Sequence, residues 1–411
     1  MDTPVYLSLP AVTSVLGDGL AAHIDALLDV DAAPPLVFSE SPPGGRRYAF
    51  GAVTRALRAF PAHLPAPLCS RNNRLLWHAL QQIEPQIAAV KARFGKHRVA
   101  VVMGTSTTGG DENKAVFRHV AEGGSWAEQP FDYGRQLMAS PAEFVAEVYD
   151  LCGPAYVVST ACTSGARALI SAARLLHAGF CDAVVCGGAD TLSALTVHGF
   201  ASLEVLSTGV ARPFARMRDG INIGEAAAAF VMTRELLFSD GLPLLGCGAS
   251  GDAYHMSSPR PDGLGAVLAF QTALSRAGLS AADIGWINLH GTGTQQNDAM
   301  ESAAVAAVFG SGTPCTSTKP FTGHTLAAAG ALEAALLWGM VSRSLNASGR
   351  LPPQWPQGEA DEALPPIGLT GRNSRWLQHR RIGASASFAF GGSNAVLIIG
   401  EPAEGSAPNP L

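Results

Sequence analysis

The stretch that most restricts what this chain can become runs from Val157 to Asp190, VVSTACTSGARALISAARLLHAGFCDAVVCGGAD. A β-branched apolar run, Tyr156 to Val158, gives way to small residues around Cys162. A helical pattern then carries to about His177, and a second buried-strand pattern, AVVCGG, ends at Asp190. The order is strand, sharp turn, helix, strand, with one cysteine at the turn. Ser159, Thr160 and Thr163 flank that cysteine, so its thiol stands where a helix begins and backbone N–H groups lack partners. Such a position lowers a thiol below its free pKa of about 8.5 and favours the attacking thiolate. Two readings stand side by side at this point: an acyl-accepting nucleophile, or a small, inert, buried cysteine.

The rest of the chain repeats the alternation of strand and helix. Pro4 to Leu9, Val99 to Gly104, Ala226 to Thr233, Leu244 to Ala249 and Trp286 to Leu289 read as strands, and Ile382 to Ile399 as two strands about a glycine turn. Helices are expected at Leu20 to Leu28, Gly265 to Ala277 and Thr325 to about Val341, and a long one at Arg71 to Phe94 with Leu75, Leu76, Leu80, Ile83 and Ile87 on one stripe. Residues 33–46, rich in proline and glycine, read as a surface loop, and residues 108–140 are polar, dotted with aromatics and weakly periodic. Strands alternating with helices throughout imply α/β layers with helices outside. The 411 residues, 47% of them apolar, allow two or three domains and a large core.

Charge and cysteine usage remove several classes of function. Only 15% of residues are charged and the net charge is −5, which gives no reason to expect nucleic acid or an anionic membrane. The seven cysteines are scattered and lack C-x-x-C spacing, so neither a disulfide framework nor a zinc site is indicated. With no signal peptide and no membrane-length apolar run, a reducing cytoplasm is the expected location.

Three further segments join Cys162 in placing a reactive residue at the end of a strand or the start of a helix. HGTGTQQNDAMES begins at His290, STKPFTGHTLAAAGALEA carries Lys319, His324 and Glu333, and SFAFGGSNAV places Gly391 and Gly392 in a tight turn. Each has a plain structural reading alone: a histidine before a turn, a lysine–glutamate salt bridge, a glycine hairpin. Asp298 and Glu301 stand close enough to suggest a cation, although a buried hydrogen-bonded pair is the reading preferred. Arg212, Arg216 and Arg218 make a basic loop, either solvated or a docking site for an acidic protein or a phosphate.

Taken together, Cys162 in STACTSG, His290 in HGTGT, Lys319 and His324 in K-x-x-x-G-H, and FGGSN at 390–394 resemble, in the same order, the β-ketoacyl-ACP synthases of the decarboxylating, two-histidine type. The likeness extends over nearly the whole chain, through GPAYVVSTAC, VVCGGAD, RPFARMRDG and HTLAAAGALEA. It implies a thiolase-like fold of two similar halves in α/β/α/β/α layers, 1–240 carrying Cys162 and 241–411 carrying His290, Lys319, His324 and the FGGSN turn. The implied reaction passes an acyl group from a carrier thioester to Cys162, and malonyl-carrier then loses carbon dioxide to give the enolate that attacks it. The implied roles are nucleophile for Cys162, enolate donors for His290 and His324, and electrostatic tuning for Lys319 with Glu333. The N–H groups of Cys162 and Phe390 would form an oxyanion hole, Phe390 with Gly391 a gate, and Thr292 and Thr294 contacts to the pantetheine arm. Asp298 and Glu301 would support the site, and neither a metal nor a cofactor is implied beyond the phosphopantetheine of acyl carrier protein.

Partners expected on this resemblance are acyl carrier protein, with its acyl and malonyl loads, and a second copy or a second ketosynthase-like subunit. Gln295 where proline is common, Ala327 for a usual glycine, Ala215 for a usual aspartate and the alanine run after Gly224 depart from the pattern. None removes a reacting group, and they favour a specialised pathway, such as polyene or aryl polyene synthesis, over housekeeping fatty acid elongation. Two alternatives remain at this stage. One is a non-catalytic chain-length partner subunit; the other is a degradative thiolase, which usually needs a second cysteine as base.

Overall fold

The computed structural model describes residues 3–41 and 45–403. Among the described residues, thirteen strands join into one sheet whose pairing senses repeat. On one side Ala155–Val158 runs parallel to Val99–Gly104, which is parallel to Ala183–Asp190, which is antiparallel to Ala226–Thr233. On the other, Pro314–Thr316 is parallel to Trp286–Asn288, which is parallel to Ile382–Ala389, which is antiparallel to Ser393–Gly400. The short strand Val5–Leu7 pairs with Ala226–Thr233 along one edge and with Leu242–Gly251 along the other, and so joins the two sides.

Alternation along the strands shows where the layers lie. Val99, Val101 and Met103 pack with Leu75, Leu76 and Phe144 of the outer helices Arg71–Leu80 and Ser140–Tyr149. Ala100 and Val102, pointing the other way, pack with Leu169 and Leu332 of two central helices, Ser164–His177 and Ala329–Val341. The opposite side is covered by Leu264–Ala277 and Gln295–Phe309, whose Phe270 and Met300 pack with Ile287 and Ala384. The layers are therefore helix, sheet, helix, sheet, helix. Every residue of Ala329–Val341 is buried, which is why that segment is apolar all round rather than striped.

The two central helices touch backbone to backbone. A Cβ on Gly165 would lie 2.6 Å from the Ala331 nitrogen and 2.8 Å from the Ala327 oxygen, and one on Gly330 would lie 2.6 Å from the Ala166 nitrogen. This contact sets the distance between the segment that follows Cys162 and the one that follows His324.

Several expectations need correction. The stripe from Leu75 to Ile87 is buried as expected, but the helix breaks at Gln81–Ile83 and restarts as Glu84–Phe94. Pro85 sits in the first turn of the second piece, where its missing N–H and its ring forbid a continuous ladder. The expected loop 33–46 contains a hairpin, Val37–Ser41 paired with Arg46–Phe50; residues 42–44 lie outside the described residues. The helix expected from Thr325 starts as a 3₁₀ turn, Leu326–Ala328, and becomes α-helical only at Ala329. In 108–140 the helix Lys114–Ala121 presents Phe117 to Trp126 and Phe131 edge to face, at centroid distances of 5.9 and 6.0 Å, with all three rings exposed.

Gly165→Ala is expected to lower stability by about 1–3 kcal/mol, the usual cost of overpacking, because the added methyl meets backbone rather than a movable side chain. Gly199→Ala, where nothing lies within 4 Å, should leave stability equal or slightly higher. Thermal unfolding of the two variants compares them directly.

Candidate active site

Cys162 stands at a strained corner. The preceding residue, Ala161, has φ 50°, a left-handed conformation costing a residue with a side chain about 1–2 kcal/mol. Hydroxyls bracing the corner hold that strain. Ser164 Oγ donates to the Ala161 carbonyl at 2.6 Å and accepts from the Thr160 N–H at 2.9 Å, while Thr163 Oγ1 reaches the Thr160 carbonyl at 2.8 Å. Thr163 Oγ1 also meets Ser393 Oγ at 2.8 Å, tying the corner to the FGGSN turn.

His324 Nε2 lies 3.1 Å from Cys162 Sγ. Its other nitrogen, Nδ1, accepts the Leu326 N–H at 3.3 Å, so the ring proton resides on Nε2 and points at the sulfur. His290 follows the same logic. Lys319 Nζ stands 3.3 Å from His290 Nδ1 and, having only protons to give, makes that nitrogen the acceptor and leaves the proton on Nε2. The two rings lie 5.2 Å apart, nearly perpendicular, and the donor atoms of Cys162, His290 and His324 all fall within 4.8 Å of one another. Among the described residues these three form the one group of histidine, cysteine or carboxylate side chains close enough to hold a metal ion, and the ammonium of Lys319 behind them opposes a cation.

Buried carboxylates shape the loop that carries His290. Glu301 accepts the N–H of His290 at 2.7 Å and of Gly291 at 2.6 Å. Asp298, one turn earlier on Gln295–Phe309, accepts from Thr292 at 3.1 Å, Gly293 at 3.2 Å and Phe214 at 2.8 Å. These two acids hold backbone turns. Thr292 and Thr294 meet through their hydroxyls at 3.0 Å, and Thr294 also caps that helix. Lys319, fully buried, donates to Glu333 Oε1 and to the His290 carbonyl.

A cavity of about 390 Å³ is lined by Cys162, His290, His324, Thr292, Thr294 and Phe390. Lys319, Glu333, Asp298 and Glu301 stand behind that lining. Phe390, 38% exposed, leans on Phe200 at 5.8 Å, and Gly391 and Gly392 follow it with φ 83° and 74°. The Gly391 N–H donates to the Met256 carbonyl and the Asp252 N–H to that of Gly392, so a second loop holds the turn.

Two features differ from the sequence reading. The helix that follows Cys162 was expected to lower its thiol pKa; instead burial pushes it up to about 12, with Lys319 pulling it down and Asp190 pushing it further up. The basic loop is largely neutralised within the chain. Arg212 pairs with Glu359 at 3.0 Å and the buried Arg218 with Asp361 at 2.6 Å. Asp190 and Phe200 were not singled out in the sequence as part of this site, although an acid closing a buried strand after two glycines is a readable signal.

The fold and this geometry define a thiolase-like condensing acyltransferase, and comparison with known proteins makes the assignment narrower. Residues 72–236 match the family described as Beta-ketoacyl synthase, N-terminal domain, and residues 243–347 match Beta-ketoacyl synthase, C-terminal domain. The chain is 32% identical over 318 residues to 3-oxoacyl-[acyl-carrier-protein] synthase 2 of Vibrio cholerae, covering 74% of this chain and 75% of that protein. With the namesake from Rhizobium meliloti it shares 36% identity over 286 residues, 66% of each chain. A chain of the complex of ketosynthase ApeO with its chain length factor ApeC, from Xenorhabdus doucetiae, superposes with a TM-score of 0.89 at 43% identity, covering 97% of this chain and 98% of that one. The chain belongs to the β-ketoacyl synthase family.

Burial and the charge of Lys319 hold both imidazoles well below the ordinary histidine pKa of 6.5. A depressed histidine keeps its neutral form until the pH falls through the lowered value, so steps using these N–H groups should keep their rate down to about pH 6 rather than halving near 6.5. The raised thiol makes the opposite kind of prediction. Iodoacetamide alkylation of Cys162, followed by mass spectrometry, should be slow at pH 7 and rise about tenfold per pH unit to pH 9; a plateau near pH 8 would mean that the helix terminus outweighs burial.

Proposed function

We propose that this chain catalyses decarboxylative condensation of a carrier-bound acyl group with malonyl-carrier, with Cys162 as the acyl acceptor. In the first half-reaction the sulfur displaces the carrier thiol from the acyl thioester, and the thiol proton leaves with the carrier. In the second, malonyl thioester loses carbon dioxide, the enolate carbon attacks the acyl-cysteine carbonyl, and the Cys162 sulfur departs and takes up a proton. The observation that carries this reading is the pair of imidazoles presenting Nε2–H to one cavity beside the sulfur. Decarboxylation needs no base, only stabilisation of the oxyanion it generates, and neutral N–H donors supply that without giving up their protons. The backbone N–H groups of Cys162 and Phe390 are proposed as the oxyanion hole for acyl transfer. Thr292 and Thr294 are proposed to line the path of the pantetheine arm. Lys319 fixes the His290 tautomer, and Glu333 balances its charge; the chemistry requires no cofactor beyond the carrier's own prosthetic group.

A second ketosynthase-like subunit is the proposed partner. The strand Ala155–Val158 ends the sheet, paired on one side only and partly exposed, and the exposed ring cluster of Phe117, Trp126 and Phe131 offers further apolar surface. The ApeO–ApeC neighbour is itself a complex with a chain length factor, and a catalytic cysteine in place favours the catalytic member of such a pair here. We take residues 1–240 and 241–411 as the two halves of the fold. A specialised polyene or aryl polyene pathway fits the departures at Gln295, Ala327 and Ala215.

His324→Ala should reduce malonyl-carrier decarboxylation by about 100- to 1000-fold, the range for losing one oxyanion donor, while acylation of Cys162 stays measurable. Intact-mass spectrometry after incubation with a panel of acyl-carriers should show one acyl group on wild type and none on Cys162→Ala. Acylation of the alanine variant would remove Cys162 from the scheme.

A further inference from the structure

The carboxylate of Asp190 is fully buried and accepts six hydrogen bonds. Oδ1 takes Thr105 Oγ1 at 2.7 Å, the Ser106 N–H at 2.8 Å, the Thr107 N–H at 3.0 Å and Thr107 Oγ1 at 2.9 Å. Oδ2 takes Ser106 Oγ at 2.5 Å and, from the other half of the chain, the Ala327 N–H at 2.8 Å. No lysine or arginine is among these donors. A carboxylate so placed is held by oriented dipoles alone, which together offset its cost of burial.

The Ala327 bond matters because of what precedes it. Leu326 has φ 53°, a left-handed conformation unfavourable for a leucine, and its N–H is the donor that fixes His324 Nδ1 as an acceptor. Strain of that kind persists only where its surroundings over-determine it. On one side of Leu326 stands the histidine; on the other, one residue on, stands the amide clasped by Asp190.

We propose that Asp190 is a positioning residue of the condensing reaction, whose carboxylate clasps the Thr105–Thr107 turn to the Leu326–Ala328 turn and so fixes the tautomer and aim of His324. This rests on the decarboxylation role proposed for His324 and deepens it. Released from Asp190, the Leu326 turn relaxes toward an ordinary conformation, its N–H swings off Nδ1, and the ring proton is no longer confined to Nε2. The substrate does not touch Asp190; the effect is carried by Leu326.

The test is Asp190→Asn, which keeps the shape but cannot accept at both oxygen positions. Decarboxylation of malonyl-carrier should lose at least tenfold in kcat with KM unchanged within about twofold, since binding does not use this group. Nitrogen-15 NMR of histidine-labelled protein should show the His324 Nε2–H tautomer in wild type and a mixture in the variant. Wild-type kcat in Asp190→Asn, or reduced kcat with the tautomer unchanged, would overturn the proposal. If Asp190→Asn fails to fold, Thr107→Val removes one donor and leaves the others; a drop of about two- to fivefold in kcat at an unchanged melting temperature supports the clasp, and a wild-type kcat overturns it. A wild-type enzyme that does not decarboxylate would instead defeat the underlying functional reading, while the tautomer measurement still reports on the clasp.

Discussion

A single buried ammonium, that of Lys319, holds the catalytic end of this molecule together. It opens a short helix, Lys319–Thr322, and is directed at the carbonyl and Nδ1 of His290 on one side and at Glu333 on the other. Burying a charge is expensive, and losing one partner of a buried pair typically costs about 3–5 kcal/mol. The arrangement is repaid only in a complete form, with every ammonium proton directed at an acceptor. Its consequence for chemistry is electrostatic and geometric together. Burial, reinforced by the positive charge, depresses both imidazoles and keeps them neutral, and the same ammonium decides which nitrogen of His290 carries the proton. Glu333, whose carboxyl is pushed up to about 7 by burial while Lys319 pulls it down, belongs to the same balance.

Around that centre, buried acids hold backbone as well as meeting cations. Glu301 and Asp298 each accept amide protons from the loop after His290, and Glu225 accepts from Val53 and Leu192 as well as from Arg71. Burial pushes the Glu301 carboxyl up to about 8 and raises that of Asp298, the direction expected where desolvation outweighs amide hydrogen bonds. Turns rich in glycine and threonine have little side-chain packing of their own. A rigid acceptor behind them supplies the order that catalysis needs, since misplacement of a donor by about 1 Å can cost 100-fold in rate.

The site lies where the two sides of the sheet meet, and the reason is the contact between the central helices. Gly165 and Gly330 let their backbones touch, which brings the corner at Cys162 within reach of His324, 162 residues later in the chain. The same closeness leaves the sulfur buried. A thiol whose pKa burial pushes up to about 12 is poorly suited to indiscriminate attack.

The sequence by itself determined the local elements and the cast of reactive groups. Cys162, His290, Lys319 and His324 stand at strand ends and helix starts because glycine, threonine and β-branched runs mark those boundaries locally, and strands such as Ala226–Thr233 were legible to the residue for the same reason. The break at Pro85 was readable too, had its missing N–H been weighed against the apolar stripe. Tertiary structure decided what depends on groups distant in the chain. The rise of the Cys162 thiol comes from burial between layers, and the quenching of Arg212 and Arg218 from acids more than 140 positions away. The clasp of Asp190 on Ala327 spans 137 positions. Spacing and periodicity record neighbours along the chain; desolvation and hydrogen bonding depend on neighbours in space, and only the packed layers bring those together.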